Sequence, residues 1–370
     1  MRARLWIPVV ALAVSGCAAG AQETQRSERH DFRVVSLVRG LDHPWALAFL
    51  PDGGILVTER PGRLRLVRNG RLDPRPIAGV PPVASLGQGG LLDLTLHPDF
   101  ARNRLLYFTY AAAGDGGAST RVARARLDGH SLSDVQVLFD QQPKSSGGLH
   151  FGSRIRFLPD GTFIVVLGER YQRDRAQDLG DHRGKSIRLT ADGTVPPDNP
   201  FVGRAGARPE IYTLGNRNAQ GLAIHPATGL PWQHEHGPQG GDEINILRPG
   251  RNYGWPVITF GEEYGGGRIG RGTAAPEFEP PRHVWVPSIA PSGMSFYAGS
   301  AFPGWRGNLF VGALRDRMLV RVELDGERIV REERLLRGVL GRIRDVKEGP
   351  DGLVYLLTDA ADGVLARLEP

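Results

Sequence analysis

Short apolar runs joined by proline-containing turns recur along the chain. Residues 43–67 read HPWALAFLPDGGILVTERPGRLRLV, in which an apolar run, a Pro-Asp-Gly turn and a second apolar run follow one another. Similar units cover residues 89–111, 153–169, 219–237, 292–326 and 343–370, and the six turn prolines are Pro51, Pro98, Pro159, Pro226, Pro303 and Pro350. Proline presets φ and glycine accepts positive φ, so each of these turns is expected to close a β-hairpin.

Six such units without helical segments between them predict an all-β fold, a six-bladed β-propeller. The domain is expected to span residues 31–370, and the strand from Phe32 to Val38 is expected to close the ring by joining the last blade. A β-sandwich is the alternative, but a sandwich would not require six similar units. The 50 glycines and 28 prolines among 370 residues fit a fold with so many turns.

The charge pattern narrows the class of ligand. The formal net charge is +6, but the basic residues are scattered singly among acidic ones, so nucleic acid is not an expected partner. Lysine occurs only at positions 144, 185 and 347, and the other basic side chains are arginines. The planar guanidinium pairs well with carboxylates, so arginines clustered in loops favour a ligand with several carboxylates.

The N-terminus has the pattern of an export signal. Arg2 and Arg4 precede the apolar stretch from Leu5 to Val14, which at about 10 residues is too short to span a bilayer. Val14-Ser15-Gly16-Cys17 then resembles a bacterial lipobox, in which the cysteine becomes the lipidated first residue. We therefore predict a lipoprotein signal peptide over 1–16, a tether over 17–30 and a location on the periplasmic face of the outer membrane. The alternative is an ordinary signal peptide, which would make the protein periplasmic or secreted.

Polar residues concentrate where the loops of a propeller would converge on its central channel. The densest segment, from Tyr212 to Pro256, contains NRNAQG, HEHGPQGGDE and NYGWP. Elsewhere the candidates are Gln88, His150 and Arg315, together with Arg342 and Arg344, which alternate along one strand and should share a face. His234 and His236 could hold zinc, but the spacing of the sequence offers no third ligand.

Several of these segments, in this order, resemble the bacterial soluble quinoprotein glucose dehydrogenase and aldose sugar dehydrogenase family. The resemblance runs from about Val34 to the C-terminus and includes LDHPWALAFLPDGG, LGNRNAQGLA, HGPQGGDEIN, NYGWP, WVPSIAPSGM and RIRD. Members of that family are six-bladed propellers that use pyrroloquinoline quinone (PQQ) and calcium. The resemblance therefore implies the same fold and the same two cofactors.

The resemblance also implies roles for individual residues. His150 would be the general base, and Arg217 would hold the quinone and polarise its reacting oxygens. The residues that would contact the cofactor are Gln88, Arg217, Asn218, Tyr264, Arg315, Arg342 and Arg344. Arg315 stands where relatives carry lysine, so its contact is the least certain to transfer. Tyr264 and Trp285 are candidate walls of the pocket, although either aromatic could equally lie in the core or at the rim.

For calcium, the resemblance implies that Gly237 and Pro238 supply backbone carbonyl oxygens to an ion in the active site. Glu243 and the carbonyl of Tyr253 would hold a second, structural calcium ion. Calcium accepts such oxygen ligands readily, but nothing in a Gly-Pro pair by itself indicates a metal. A surface carboxylate is the alternative for Glu243.

The function implied is oxidation of aldose sugars at C1 to lactones, with electrons passed to a quinone or a cytochrome, in a monomer or a homodimer. Two other classes remain open. One is a calcium-dependent sugar lactonase, which would need several carboxylate ligands where this sequence places arginines. The other is a propeller that binds a protein or a glycan without catalysis.

Overall fold

A computed structural model describes residues 23–370, and within them the chain forms six antiparallel blades, five of four strands and one of five. The chain begins with β1 (Thr24–Arg26) and β2 (Asp31–Leu41). Blade 1 contains β3 (Pro44–Phe49), β4 (Ile55–Glu59), β5 (Arg63–Arg68) and β6 (Arg71–Leu72). Blade 2 contains β7 (Leu91–Leu96), β8 (Leu105–Gly114), β9 (Gly117–Asp128) and β10 (Ser131–Asp140). Blade 3 contains β11 (Gly152–Phe157), β12 (Phe163–Leu167), β13 (Ser186–Leu189) and β14 (Ile211–Thr213).

The second half of the ring repeats this order. Blade 4 contains β15 (Ala219–Ile224), β16 (Pro231–Glu235), β17 (Asp242–Ile246) and β18 (His283–Trp285). Blade 5 contains β19 (Pro291–Phe296), β20 (Leu309–Ala313), β21 (Met318–Asp325) and β22 (Arg328–Leu335). Blade 6 contains β23 (Ile343–Glu348), β24 (Val354–Thr358) and β25 (Gly363–Glu369). The helical elements of the described residues are short: α1 (Phe100–Asn103) and the 3-10 turns Arg173–Gln177 and Pro303–Trp305.

The predicted six-bladed propeller is confirmed. Each of the six turn prolines lies between the first and second strands of a blade, and the first strands of neighbouring blades lie side by side around a central channel. Strand β2 supplies the fourth strand of blade 6 by pairing with β25, with Val34 opposite Leu368. The two ends of the chain thus close the ring with the same ladder of backbone hydrogen bonds that builds each blade.

Apolar side chains fill the spaces between blades. Tyr107 of blade 2 packs edge-on against Phe157 of blade 3, with ring centroids 4.9 Å apart. Trp232 of blade 4 meets Phe296 of blade 5 in the same manner at 5.7 Å. Both faces of a blade are therefore buried. This explains why its strands contain consecutive apolar residues instead of alternating apolar and polar ones.

The boundary of the domain differs from the prediction. Part of the segment expected to be a tether, residues 17–30, is built into the fold, because β1 pairs with β2 and Glu28 forms ion pairs with Arg321 and Arg331. His30 packs edge-on against Trp305. The fold therefore includes residues from Thr24 onward, which precede the predicted boundary at residue 31. The predicted signal peptide and Cys17 lie outside the described residues, and no helix within 23–370 is long and apolar enough to cross a membrane.

The antiparallel order of the strands determines which loops share a face. The end of the second strand and the start of the first strand lie at the same edge of each blade, so both open onto one mouth of the channel. Residues 60, 169 and 359 directly follow a second strand or come within two residues of it, and residues 88, 150 and 217 precede a first strand. Six distant segments of the chain therefore meet at this mouth.

Candidate active site

A cavity of about 270 Å³ opens at this mouth and is rich in guanidinium groups. Its lining residues come from all six blades and the loops between them: Trp45, Arg60, Gln88, Leu92, Phe151, Gly152, Gln220, His236, Ala290, Leu314, Arg342, Arg344 and Asp359. Three of these residues are arginines and one is a carboxylate. The lining therefore carries excess positive charge and suits an anion.

Arg342 and Arg344 lie together at this cavity, as the sequence analysis expects. Their Nη2 atoms lie 2.8 Å and 3.2 Å from Oδ2 of Asp359. Burial would raise the pKa of Asp359, but the charge of Arg344 and the hydrogen bond from Arg342 hold that pKa well below its ordinary value. Burial lowers the pKa of Arg344 to about 10, so its guanidinium is still cationic at neutral pH.

His150 stands beside the cavity with one ring nitrogen engaged. Its side chain is 5% exposed, and Nδ1 lies 2.6 Å from Oε1 of Glu169. A carboxylate accepts but does not donate, so Nδ1 carries the proton and Nε2 keeps a free lone pair. The backbone of His150 has a φ of 55°, and its N–H donates to Oε1 of Gln88 at 2.8 Å. Gln88 thus holds the backbone of His150 as well as lining the cavity.

The electrostatics favour a neutral His150. Burial is the main cause that lowers the pKa of His150 below 6.5, and the positive charge of Arg217 lowers it further. The hydrogen bond from Nδ1 to Glu169 acts in the opposite direction and raises it. The imidazole is therefore able to accept a proton at neutral pH, as a general base must.

Arg217 and Asn218 enter from the loop between blades 3 and 4. Nη1 of Arg217 donates to the carbonyl oxygens of His236 (3.0 Å) and Gly237 (2.8 Å), and its Nη2 lies 3.5 Å from the hydroxyl of Tyr264. Asn218 is buried and accepts a hydrogen bond from the backbone N–H of Gly152. Arg217 therefore faces the mouth, whereas Asn218 supports the wall of the cavity from behind.

A smaller cleft of about 40 Å³ adjoins the arginine-lined cavity. Its lining residues are Glu169, Tyr171, Arg173, Arg217, Pro238, Trp255, Glu263, Tyr264 and Ile269. Tyr264 is 61% exposed and lines this cleft rather than the main cavity. Trp285 is 2% exposed, and its Nε1 donates to Glu332 in the space between blades 4 and 5. Trp285 is therefore a core residue, and the expectation that it walls the pocket is wrong.

A third, much smaller space lies behind Arg217. It has a volume of about 10 Å³, and its lining includes Gly237, Tyr253 and the carboxyl groups of Glu235 and Glu243. Burial raises the pKa of Glu235 to about 7 and that of Glu243 to about 8, and the negative charge of Glu235 raises the pKa of Glu243 further. Within residues 23–370, no three His, Cys, Asp or Glu side chains cluster as a metal site would require, so a metal here would also need backbone oxygens.

The remaining sequence candidates are placed differently. Arg315 is exposed at the rim, where Nη1 donates to the carbonyl of Ser288, and it does not line the cavity. His236 lines the cavity and its Nε2 donates to the carbonyl of Pro291 at 2.6 Å. His234 is fully buried against Gly221, whose Cβ position would lie 2.0 Å from Nε2 of the imidazole. The two imidazoles therefore do not converge on one ion.

Comparison with known proteins agrees with the fold. A sequence model of the glucose/sorbosone dehydrogenase family matches residues 41–367. The chain belongs to this family. It is 46% identical to aldose sugar dehydrogenase YliI of Escherichia coli over 336 residues, which is 89% of this chain and 91% of that protein.

Two solved structures of family members extend this result. The soluble aldose sugar dehydrogenase of Escherichia coli in the apo form is 45% identical, with a TM-score of 0.90 over 92% of this chain and 99% of that chain. The PQQ-bound form of an aldose sugar dehydrogenase from Streptomyces coelicolor is 30% identical, with a TM-score of 0.75 over 91% of this chain and 98% of that chain. Both match almost the whole length of this chain.

Four residues at the mouth of the channel were not identified from the sequence: Trp45, Arg60, Glu169 and Asp359. The last three share a position, because each follows the second strand of its repeat, in VTER, VLGE and LLTD. A charged residue at the end of the second apolar run was therefore the signal that could have found them. Trp45 gave no such signal, because a tryptophan in a first strand looks like an ordinary core residue.

Proposed function

We propose that this protein is a PQQ-dependent dehydrogenase that oxidises aldose sugars at C1 to lactones. The observation that carries the proposal is a neutral, carboxylate-held histidine at the edge of a cavity lined by cations. The names of the similar proteins, an aldose sugar dehydrogenase and a PQQ-bound aldose sugar dehydrogenase, support the substrate class and the cofactor.

His150 performs the proton transfer in this proposal. Its Nε2 accepts the proton of the anomeric hydroxyl while the hydride leaves C1, so the sugar loses two electrons and becomes the lactone. Glu169 stabilises the imidazolium that forms, because its carboxylate already accepts the Nδ1 proton. When bound, PQQ supplies the quinone that takes up the hydride. Arg217 lines the smaller cleft together with Glu169, and in this proposal it stabilises negative charge that develops on reacting oxygens.

The lining of the cavity fits a planar, polycarboxylate cofactor. Nε of Arg344, which lines the cavity, and Nε of Arg217, which lines the adjoining cleft, are buried donors without a hydrogen-bond partner among residues 23–370. Such donors are costly unless a ligand satisfies them, and carboxylates suit guanidinium groups best. The guanidinium carbons of Arg154 and Arg344 lie 4.0 Å and 5.8 Å from the ring centroid of Trp45, and the indole contributes a rigid wall to the cavity.

The donor set also fits calcium. Gly237 and Pro238 would present backbone oxygens near Arg217, and Glu243 with the carbonyl of Tyr253 would hold a second ion. Burial raises the pKa values of Glu235 and Glu243, and the charge of Glu235 adds to the shift of Glu243; a divalent cation would stabilise both carboxylates. The ion at Gly237 would act as a Lewis acid toward the cofactor.

We further propose that a quinone or a cytochrome accepts the electrons outside the cytoplasm. The export signal and Cys17 in the sequence support a lipid anchor and the periplasmic face of the outer membrane. Labelling of cells with a fatty-acid analogue would test the anchor, since a Cys17→Ala variant should lose the label.

Reconstitution tests the enzymatic proposal directly. Purified apoprotein, supplied with calcium and PQQ, should reduce an artificial electron-acceptor dye when an aldose is added. Omission of either PQQ or the sugar should abolish the signal. If no aldose gives turnover while PQQ still raises the melting temperature, the protein is a binding module. If neither effect is seen, the proposal is wrong.

A further inference from the structure

Arg60 is a cation of the cavity to which the sequence analysis assigned no role. It directly follows β4 in blade 1, and it lines the cavity together with Gln88, Arg342 and Arg344. Blades 1 and 6 are neighbours in the ring, so Arg60 approaches the cavity from the blade next to that of Arg342, which precedes β23, and Arg344, which lies in β23. The three guanidiniums thus form one cationic side of the cavity.

The pairing of these cations is unequal. Arg342 and Arg344 share the carboxylate of Asp359. Arg60 lies within ion-pair distance of no carboxylate in the part of the chain that the structure describes, and its Nη1 donates to the carbonyl of Gly87 at 2.5 Å. A guanidinium has five N–H donors, so most of the donors of Arg60 are free for a ligand. An unpaired cation that faces a cavity attracts anions.

The backbone around Arg60 is packed to hold it in place. Its N–H donates to His43 at 3.1 Å, and its carbonyl accepts from Leu91 at 3.0 Å. Gly90 has a φ of 145°, and a Cβ there would lie 1.9 Å from the carbonyl oxygen of Arg60 and 2.7 Å from its Cγ. Only a glycine allows this approach, so the stem of Arg60 rests against the chain that leads from Gln88 into blade 2.

Arg315 differs in each of these respects. It follows β20 in blade 5, which is a comparable position, but its side chain is exposed and turned to the carbonyl of Ser288. It does not line the cavity. Arg315 therefore does not supply the third cation of the cavity, although the resemblance to the family implies a cofactor contact at its position.

We propose that Arg60, rather than Arg315, is the third guanidinium that binds a carboxylate of the cofactor. This inference rests on the proposed function, because it assumes PQQ as the occupant of the cavity. Arg60 contributes binding free energy and orientation, and it takes no part in proton transfer.

Direct titration tests the assignment without turnover. Apoprotein with calcium is titrated with PQQ, and the dissociation constant is read from the quenching of tryptophan fluorescence. Loss of a charge-assisted hydrogen bond should weaken binding by about 10- to 100-fold in Arg60→Gln. The matched control Arg315→Gln should change the dissociation constant by less than about threefold, as expected for an exposed charge.

Two further measurements separate ligand binding from a purely structural role. Arg60→Lys keeps the charge and should recover part of the affinity, and the dependence of affinity on salt should be weaker in Arg60→Gln than in the wild type. If Arg60 only orders the loop at Gly87, the Gln and Lys variants will weaken binding equally with an unchanged salt dependence, and the assignment is overturned. If Arg60→Gln does not fold, Arg60→Leu, which also removes the charge, takes its place in the comparison with Arg60→Lys.

The titration also distinguishes the two proposals. If wild-type protein binds PQQ and Arg60→Gln binds it equally well, only the assignment of Arg60 fails. If wild-type protein does not bind PQQ at all, the proposed function fails and the assignment of Arg60 fails with it.

Discussion

The central channel contains two groups of arginines that behave differently. In the middle of the channel, Arg154 is fully buried, and its Nη1 lies 2.9 Å from Asp345 and 3.4 Å from Asp93. At the mouth, Arg60 and Arg342 are accessible, and the cavity lining contains one carboxylate for three guanidiniums. Both groups come from the same repeated strands and the loops next to them.

The comparison shows that the guanidinium of Arg154 has a structural role, whereas the guanidiniums at the mouth are available to bind a ligand. Burial of a guanidinium is tolerated only when it is paired, so Arg154 donates to the carbonyls of Gln220 and Arg344 as well as pairing with carboxylates. At the mouth, Arg342 and Arg344 share one carboxylate, and Arg60 has none within ion-pair distance among residues 23–370. Arg154 therefore supports the floor of the cavity, and the mouth provides the excess charge.

The largest effect is expected at the mouth and concerns turnover. His150→Ala removes the general base and should lower kcat by about 10²- to 10⁴-fold. The dissociation constant for PQQ, measured by fluorescence titration, should stay close to that of the wild type, because the cationic side of the cavity is untouched. A kcat within tenfold of the wild type would show that His150 is not the base.

The next largest effect is a loss of stability, and it is expected on substitution of Arg154 in the middle of the channel. Arg154→Met leaves Asp345 buried without its cation and should lower the free energy of unfolding by about 3–5 kcal/mol. Urea denaturation followed by circular dichroism would measure this change. The double variant Arg154→Met, Asp345→Asn should recover part of the loss. A single-variant loss below about 1 kcal/mol would contradict the structural role of this pairing.

Glu169→Gln should have an intermediate effect on turnover, about 10- to 100-fold, since the imidazolium loses its carboxylate partner. The pH profile gives a sharper test. Neutral His150 is the active form, so activity falls as the pH drops through its pKa, which lies below 6.5. Glu169 raises that pKa, so its removal should move the acid limb of kcat/KM to lower pH.

The control for Glu169→Gln is Glu262→Gln, the same change at an exposed residue. Its acid limb should coincide with that of the wild type. An acid limb that moves to higher pH in Glu169→Gln would exclude the assigned interaction.

The smallest effect on stability is expected from Arg342→Gln. The side chain is 45% exposed, and an ion pair in contact with water contributes only about 0–1 kcal/mol. Urea denaturation should therefore hardly distinguish this variant from the wild type, whereas its affinity for PQQ should fall. A loss of stability as large as that of Arg154→Met would remove the distinction between the two groups of arginines.

Much of the architecture could be predicted because it depends on local chemistry. The six Pro-containing turns and the strand from Phe32 to Val38 follow from turn propensity and apolar pattern, and all of them are confirmed. The start of the domain could not be placed in the same way. The polar residues before Asp31 resemble a linker, and only the neighbouring Arg321 and Arg331 explain why Glu28 is held in place.

The sequence by itself determined the repeat, its six turns and the identity of the charged residues at the strand ends. Only the tertiary structure decided which of these charges are paired. Arg154 meets the carbonyl of Arg344 across 190 residues of chain, and His150 meets Glu169 because the start of β11 and the end of β12 lie at the same edge of blade 3. The first contact depends on the packing of blades around the ring, and the second depends on the register of one hairpin. Neither distance is encoded in a local pattern of residues.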